Sequence, residues 1–167
     1  MIENKVAASE LLVIDLKTLI SDEETLFFDL KDYLYRGLIL KEKEYRAALD
    51  NIELDKYINK TVLVFCSADV IIPVWAYMLV AVYLSPIANK LIFSNEVDWR
   101  KMQITESINN LNIDEYVDKR VIIKGCGDIS IPEVAFFEIT KKLLPVVKSI
   151  MYGEPCSTVP IFKRKKS

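Results

Sequence analysis

The chain has 167 residues, 22 basic and 24 acidic side chains for a formal net charge of -2, 51% hydrophobic residues and no histidine. This hydrophobic share over this length supports one well-buried core and excludes a disordered chain, while the near balance of charge leaves no basic field to hold nucleic acid. Without histidine, the commonest general base and metal ligand is missing, so catalysis or metal binding must fall to Cys, Asp, Glu, Lys or Tyr.

The opening Met1-Ile2-Glu3-Asn4-Lys5 lacks the basic start and apolar stretch of a signal peptide. Three cysteines, an odd number, do not make a disulfide framework. The expected location is therefore the cytoplasm. Leu11–Asp15 and Thr25–Asp29 read as the strands of a β-hairpin, joined by the polar turn Ser21-Asp22-Glu23-Glu24, with a helix over residues 41–51. Residues 1–53 are thus an N-terminal hairpin and helix extension.

An internal repeat organises residues 54–154. Laid over residues 113–154 with a shift of 59 and no gap, residues 54–95 bring Asp55 onto Asp114, Tyr57 onto Tyr116, Lys60 onto Lys119, Asp69 onto Asp128, Pro73 onto Pro132 and Pro86 onto Pro145. About ten positions are identical, and most of the rest pair apolar with apolar. Each copy reads as strand, loop, helix, strand. Thr61–Phe65 and Arg120–Lys124 are continuous apolar, β-branched runs, as buried parallel strands are. Helices follow Pro73 and Pro132, each suited to a helix start, and second strands lie at 90–94 and 148–152. A helix over 97–111 links the copies.

The predicted fold is α/β, a three-layer open and mostly parallel sheet built from two repeated βαβ units in strand order 2-1-3-4, with a topological switch point between Thr61–Phe65 and Arg120–Lys124. It is expected as a single domain over 1–167: the extension, a first repeat with its linking helix (54–112), a second repeat (113–154), and a C-terminal loop and basic tail (155–167). Residues 70–89 carry no charge over a length that suggests a membrane span. Their repeat partner is an ordinary amphipathic helix, so Val74–Leu84 is predicted as a core helix and no membrane is expected. Lacking a polar face, that helix needs a cover on its second side, from the N-terminal segment or another subunit. A homodimer is the expectation.

Cys66, Cys126 and Cys156 each follow a predicted strand at its carboxyl end, the edge where open parallel sheets bind ligands. Asp69 and Asp128 share two of these loops, and Lys124 and Glu154 stand beside them. The constellation points to a metal site in which three thiolates hold zinc or an iron–sulfur cluster, a carboxylate, water or partner ligand completing the shell. No Cys-x-x-Cys pair is present. Two alternatives stand beside it: a non-enzymatic interaction module whose thiols are structural, and a thiol enzyme with Cys126 as nucleophile, where Lys124 favours the thiolate and Gly125 and Gly127 admit substrate. The lack of a histidine base weighs against an enzyme.

The segments Cys66-Ser67-Ala68-Asp69, Pro73-Val74-Trp75-Ala76-Tyr77-Met78, Lys124-Gly125-Cys126-Gly127-Asp128 and residues 149–160 resemble the Bacteroidetes family catalogued as domain of unknown function 2480, and the resemblance covers nearly the whole chain. It implies no established activity. It does imply a genomic neighbourhood of iron–sulfur assembly genes of the sulfur-mobilisation type, and hence iron–sulfur assembly proteins as partners.

Overall fold

In the computed structural model, which describes residues 11–125 and 130–165, the chain runs through β1 (Leu11–Asp15), β2 (Thr25–Asp29), α1 (Glu42–Asp50), β3 (Thr61–Phe65), α2 (Val74–Leu84), β4 (Lys90–Phe93), α3 (Glu96–Asn110), β5 (Arg120–Lys124), α4 (Glu133–Leu143), β6 (Ser149–Glu154) and β7 (Ser157–Lys163). The fold is α/β, with mostly parallel sheets and repeated βαβ units. It divides into two compact units: a continuous one of residues 22–99, and a split one of residues 1–21 and 100–167.

The continuous unit holds a three-stranded sheet in the order β2-β3-β4, parallel throughout. The split unit holds a four-stranded sheet in the order β1-β5-β6-β7, parallel except for the antiparallel β7. The two repeats therefore do not share one sheet of order 2-1-3-4, and β3 and β5 are not neighbours. Nor do β1 and β2 form a hairpin, because β1 pairs with β5 and β2 with β3. The reason is topological. Two right-handed crossovers stepping the same way across a sheet place their helices on one face, and a switch point arises only where the direction reverses. In the continuous unit Tyr45 and Leu49 of α1 share a core with Ala76, Val80 and Leu84 of α2, against Phe28, Val62 and Val64 of the strands. In the split unit α3 and α4 do the same through Ile104, Ile108, Ala135, Ile139 and Leu143. Neither sheet contains a switch point.

The duplication is larger than the repeat alone indicates. Asp15-Leu16-Lys17 after β1 matches Asp29-Leu30-Lys31 after β2. Each Asp accepts the backbone N–H two residues on, at 3.1 and 3.0 Å, and opens a 3₁₀ turn whose leucine is fully buried. The pairing register is equivalent as well. Thr61 stands opposite Thr25 and Lys90, and Arg120 opposite Leu11 and Ser149. Even the left-handed residues before the central strands correspond, Asn59 at φ 59° and Asp118 at φ 56°, each donating its N–H to the matching carbonyl, Ile87 or Val146, at 2.9 Å. Each unit is thus a copy of one module, and the continuous copy is inserted between β1 and the remainder of the split one.

Residues 155–167, expected as loop and tail, instead supply β7 as the fourth strand of the split unit as far as Lys163. Arg164 donates its backbone N–H to Lys148 O at 2.9 Å and pairs with Asp118 at 2.5 Å. Pro160 lies within β7, tolerated there because β7 is an edge strand. Among the described residues no helix is long and apolar enough to cross a membrane.

Candidate functional site

Of the residues that the sequence singled out, those that the structure describes lie at the carboxyl edges of the two sheets. In the continuous unit, Cys66 follows β3 directly. It is half-buried against the core, and its thiol donates to Ala68 O at 3.7 Å. Asp69 is exposed in the same loop. The carboxylate that organises this edge is Asp29, whose Oδ1 accepts the N–H of Lys31 at 3.0 Å and of Ser67 at 2.9 Å. Burial alone would raise its pKa. Hydrogen bonds from the Ser67 side chain and from these backbone groups outweigh that and hold the carboxyl below its ordinary value.

In the split unit the edge is built differently. Lys124 Nζ stands 3.5 Å from Asp15 Oδ2 and 3.9 Å from Glu154 Oε2, all three side chains partly exposed. Phe65 occupies the equivalent of Lys124 in the other copy, so this charged trio belongs to one unit only. Cys156 is exposed in the tight turn between β6 and β7. Cys126 and Asp128 lie outside the described residues. The cysteines therefore divide by unit: Cys66 follows a strand of one sheet, while Cys126 and Cys156 follow the adjacent strands β5 and β6 of the other. Among the described residues, no group of three or more Cys, Asp or Glu is arranged to hold a metal ion.

Beside this edge a cleft of about 470 Å³ opens on the helix side of the split unit's sheet. Ile123, Ile131, Phe136 and Ile161 give it apolar walls, and its polar groups come from Glu133, Thr140 and Tyr152. The Phe136 and Tyr152 rings meet edge to face, 5.6 Å between centroids. Gly125 is tight against the wall, since an added Cβ would stand 2.7 Å from Phe136 Cζ and 3.2 Å from Ile131 Cγ1. Sequence reasoning passed over this cleft because its residues are spread over α4, the segment before it and three strands. One signal was present: Glu133, Thr140 and Tyr152 are polar where the repeat partners Val74, Ala81 and Phe93 are apolar.

The continuous unit shows the reverse. Its equivalent aromatic pair, Tyr77 and Phe93, keeps the edge-to-face contact at 4.9 Å, but β4 ends the sheet and, among the described residues, no strand stands where β7 does. Along α2, Val74, Met78 and Val82 form one stripe, 77%, 65% and 68% exposed, with Phe93 at 71% nearby in the sheet. At the matching positions α4 carries Glu133, Phe137 and Lys141.

Comparison with curated proteins and with solved structures finds no match. A family model does match, over residues 1–164, and by that match the chain belongs to the family described as protein of unknown function (DUF2480).

Proposed function

We propose that the protein is a non-enzymatic interaction module of the cytoplasm, which uses the apolar side of its continuous unit to bind a second copy of itself. The observation that carries this reading is the divergence of the two copies. The buried sides of α2 and α4 are equivalent, Ala76, Val80 and Leu84 answering to Ala135, Ile139 and Leu143, all fully buried. The outer sides differ: α4 is solvated at two of three positions, and α2 is apolar at all three. Both helices satisfy the same internal packing, so among the described residues packing does not account for the difference, and a contiguous exposed apolar patch marks a surface that is covered in use. Sedimentation velocity over a range of protein concentrations tests it. The wild type should associate to a dimer, and Met78→Glu should shift it to monomer with unchanged unfolding behaviour. A wild type that stays monomeric throughout would refute the homodimer.

A second reading, a zinc or iron–sulfur site, is supported by the adjacency of β5 and β6. They are parallel neighbours in the four-stranded sheet, where strands lie about 4.8 Å apart, and their carboxyl ends lead to Cys126 and Cys156. In this reading the two thiolates are ligands, with Glu154 or Asp128 offering an oxygen ligand and iron–sulfur assembly proteins as partners. Cys66 and Asp69 belong to the other unit and are not called on. Protein purified without oxygen should then carry iron or zinc, and Cys126→Ser or Cys156→Ser should lose it while Cys66→Ser keeps it. Equal metal content in all three variants would refute this assignment.

A further inference from the structure

We infer that the cleft of the split unit is a binding site for a small primary amine carried on an aromatic or branched apolar body. Its volume of about 470 Å³ falls within the range of small-molecule sites, about 300–1,000 Å³. The walls are Ile123, Ile131, Phe136 and Ile161, which offer an apolar body only dispersion and burial. Among the described residues of the lining the one charged group is the carboxylate of Glu133. It is exposed at the rim of the cleft and has no ion-pair or hydrogen-bond partner among the described residues, so it is free to receive an ammonium group. The Thr140 hydroxyl donates to Phe136 O at 2.7 Å; it lies two helical turns beyond Glu133, about 10 Å along α4, and gives the far end of the cleft a polar acceptor for the ligand's body. The Tyr152 ring, held edge to face against Phe136, adds an aromatic surface, which favours a cation as well.

The duplicated module supplies the control. Without β7 the other copy has no Ile161 wall, and there all three polar positions are apolar: Val74 for Glu133, Ala81 for Thr140 and Phe93 for Tyr152. Polar groups thus stand where the cleft is closed and are missing where it is open. Packing does not require them, because α2 and α4 bury the same positions.

The test is a titration of the full ¹⁵N-labelled chain with phenethylamine, 2-phenylethanol and 3-phenylpropanoate, followed through backbone amide shifts. Phenethylamine should give saturable shifts centred on Phe136, Thr140 and Tyr152 and should bind about tenfold more tightly than the alcohol, the increment expected of a charge-assisted hydrogen bond. The carboxylate should bind most weakly. Glu133→Gln should bring amine and alcohol to the same affinity, and Ile161→Trp, which fills the mouth, should weaken both. Saturable shifts from none of the three probes, shifts centred elsewhere, or an amine preference that survives Glu133→Gln would each overturn the assignment.

Discussion

Removing the carboxylate of Asp29 should destabilise the protein at neutral pH and cease to matter in acid. Its Oδ1 receives two backbone N–H groups, from Lys31 in the 3₁₀ turn and from Ser67 beyond β3, so it ties the end of β2 to the loop that carries Cys66. Hydrogen bonds to a charged acceptor contribute about 1.5–3 kcal/mol when buried. Here the carboxylate is partly exposed, and solvent screening reduces that to about 1–2 kcal/mol for Asp29→Ala. Asp29→Asn keeps an acceptor and loses only the charge, so it should cost about half as much. With an m value of about 2 kcal/mol/M, the alanine variant's urea midpoint falls by about 0.5–1 M. The pH dependence follows from the sign of the shift. The folded pKa lies below the ordinary value of 3.8, so the unfolded state binds the proton first. The stabilisation is present in full above that ordinary value and is lost as pH falls through the lower folded pKa. Urea unfolding of wild type and Asp29→Asn should therefore show the same gap at pH 7 and pH 5, shrinking from about pH 4 downward. A gap that is constant into acid, or that widens there, would refute the role assigned to the charge.

Three further outcomes are expected. Tyr45 is buried in the continuous unit with its hydroxyl donating to Ala76 O at 3.2 Å, so Tyr45→Phe should cost about 0.5–1.5 kcal/mol and Tyr45→Ala about 3–5 kcal/mol in urea unfolding. Equal losses would show that the hydrogen bond, not the ring, dominates. Gly125→Ala should destabilise by about 1–3 kcal/mol, because the new methyl must displace the Phe136 ring; wild-type stability would refute that close approach. Cys156 is exposed where Cys66 is half-buried, so a thiol reagent should modify Cys156 before Cys66, and Cys156→Ser should change stability by no more than about 0.5 kcal/mol.

The local elements were legible in the sequence because each carries its own period and punctuation. The apolar runs of β3 and β5, the prolines that precede α2 and α4, and the shift of 59 that relates them all correspond to the structure. Strand order was not legible, because one shared sheet and two separate sheets use the same local patterns and differ only in non-local pairing. The missed signal lies in β1 and β2. Once Asp15-Leu16-Lys17 is seen to match Asp29-Leu30-Lys31, the two strands become equivalents of one another, and equivalents occupy corresponding places in different sheets instead of pairing. The cysteine argument met the same limit. Cys66 and Cys156 follow strands of different sheets, β3 and β5 are not neighbours, and Cys126 lies outside the described residues. Glu133, Thr140 and Tyr152 escaped notice because the repeat was read for its identities, and their meaning lies in where the copies differ.

The insertion of one module within another has a consequence for biosynthesis. β1 cannot meet its partner until Arg120 has been made, 109 residues after Leu11, whereas β2, β3 and β4 all lie within 69 residues of one another. At about 5–20 residues per second the ribosome leaves the apolar Leu11–Ile14 segment without its strand partner for some seconds after the inserted module has everything it needs. During that interval the nascent chain presents a ready target to holdase chaperones and to neighbouring nascent chains.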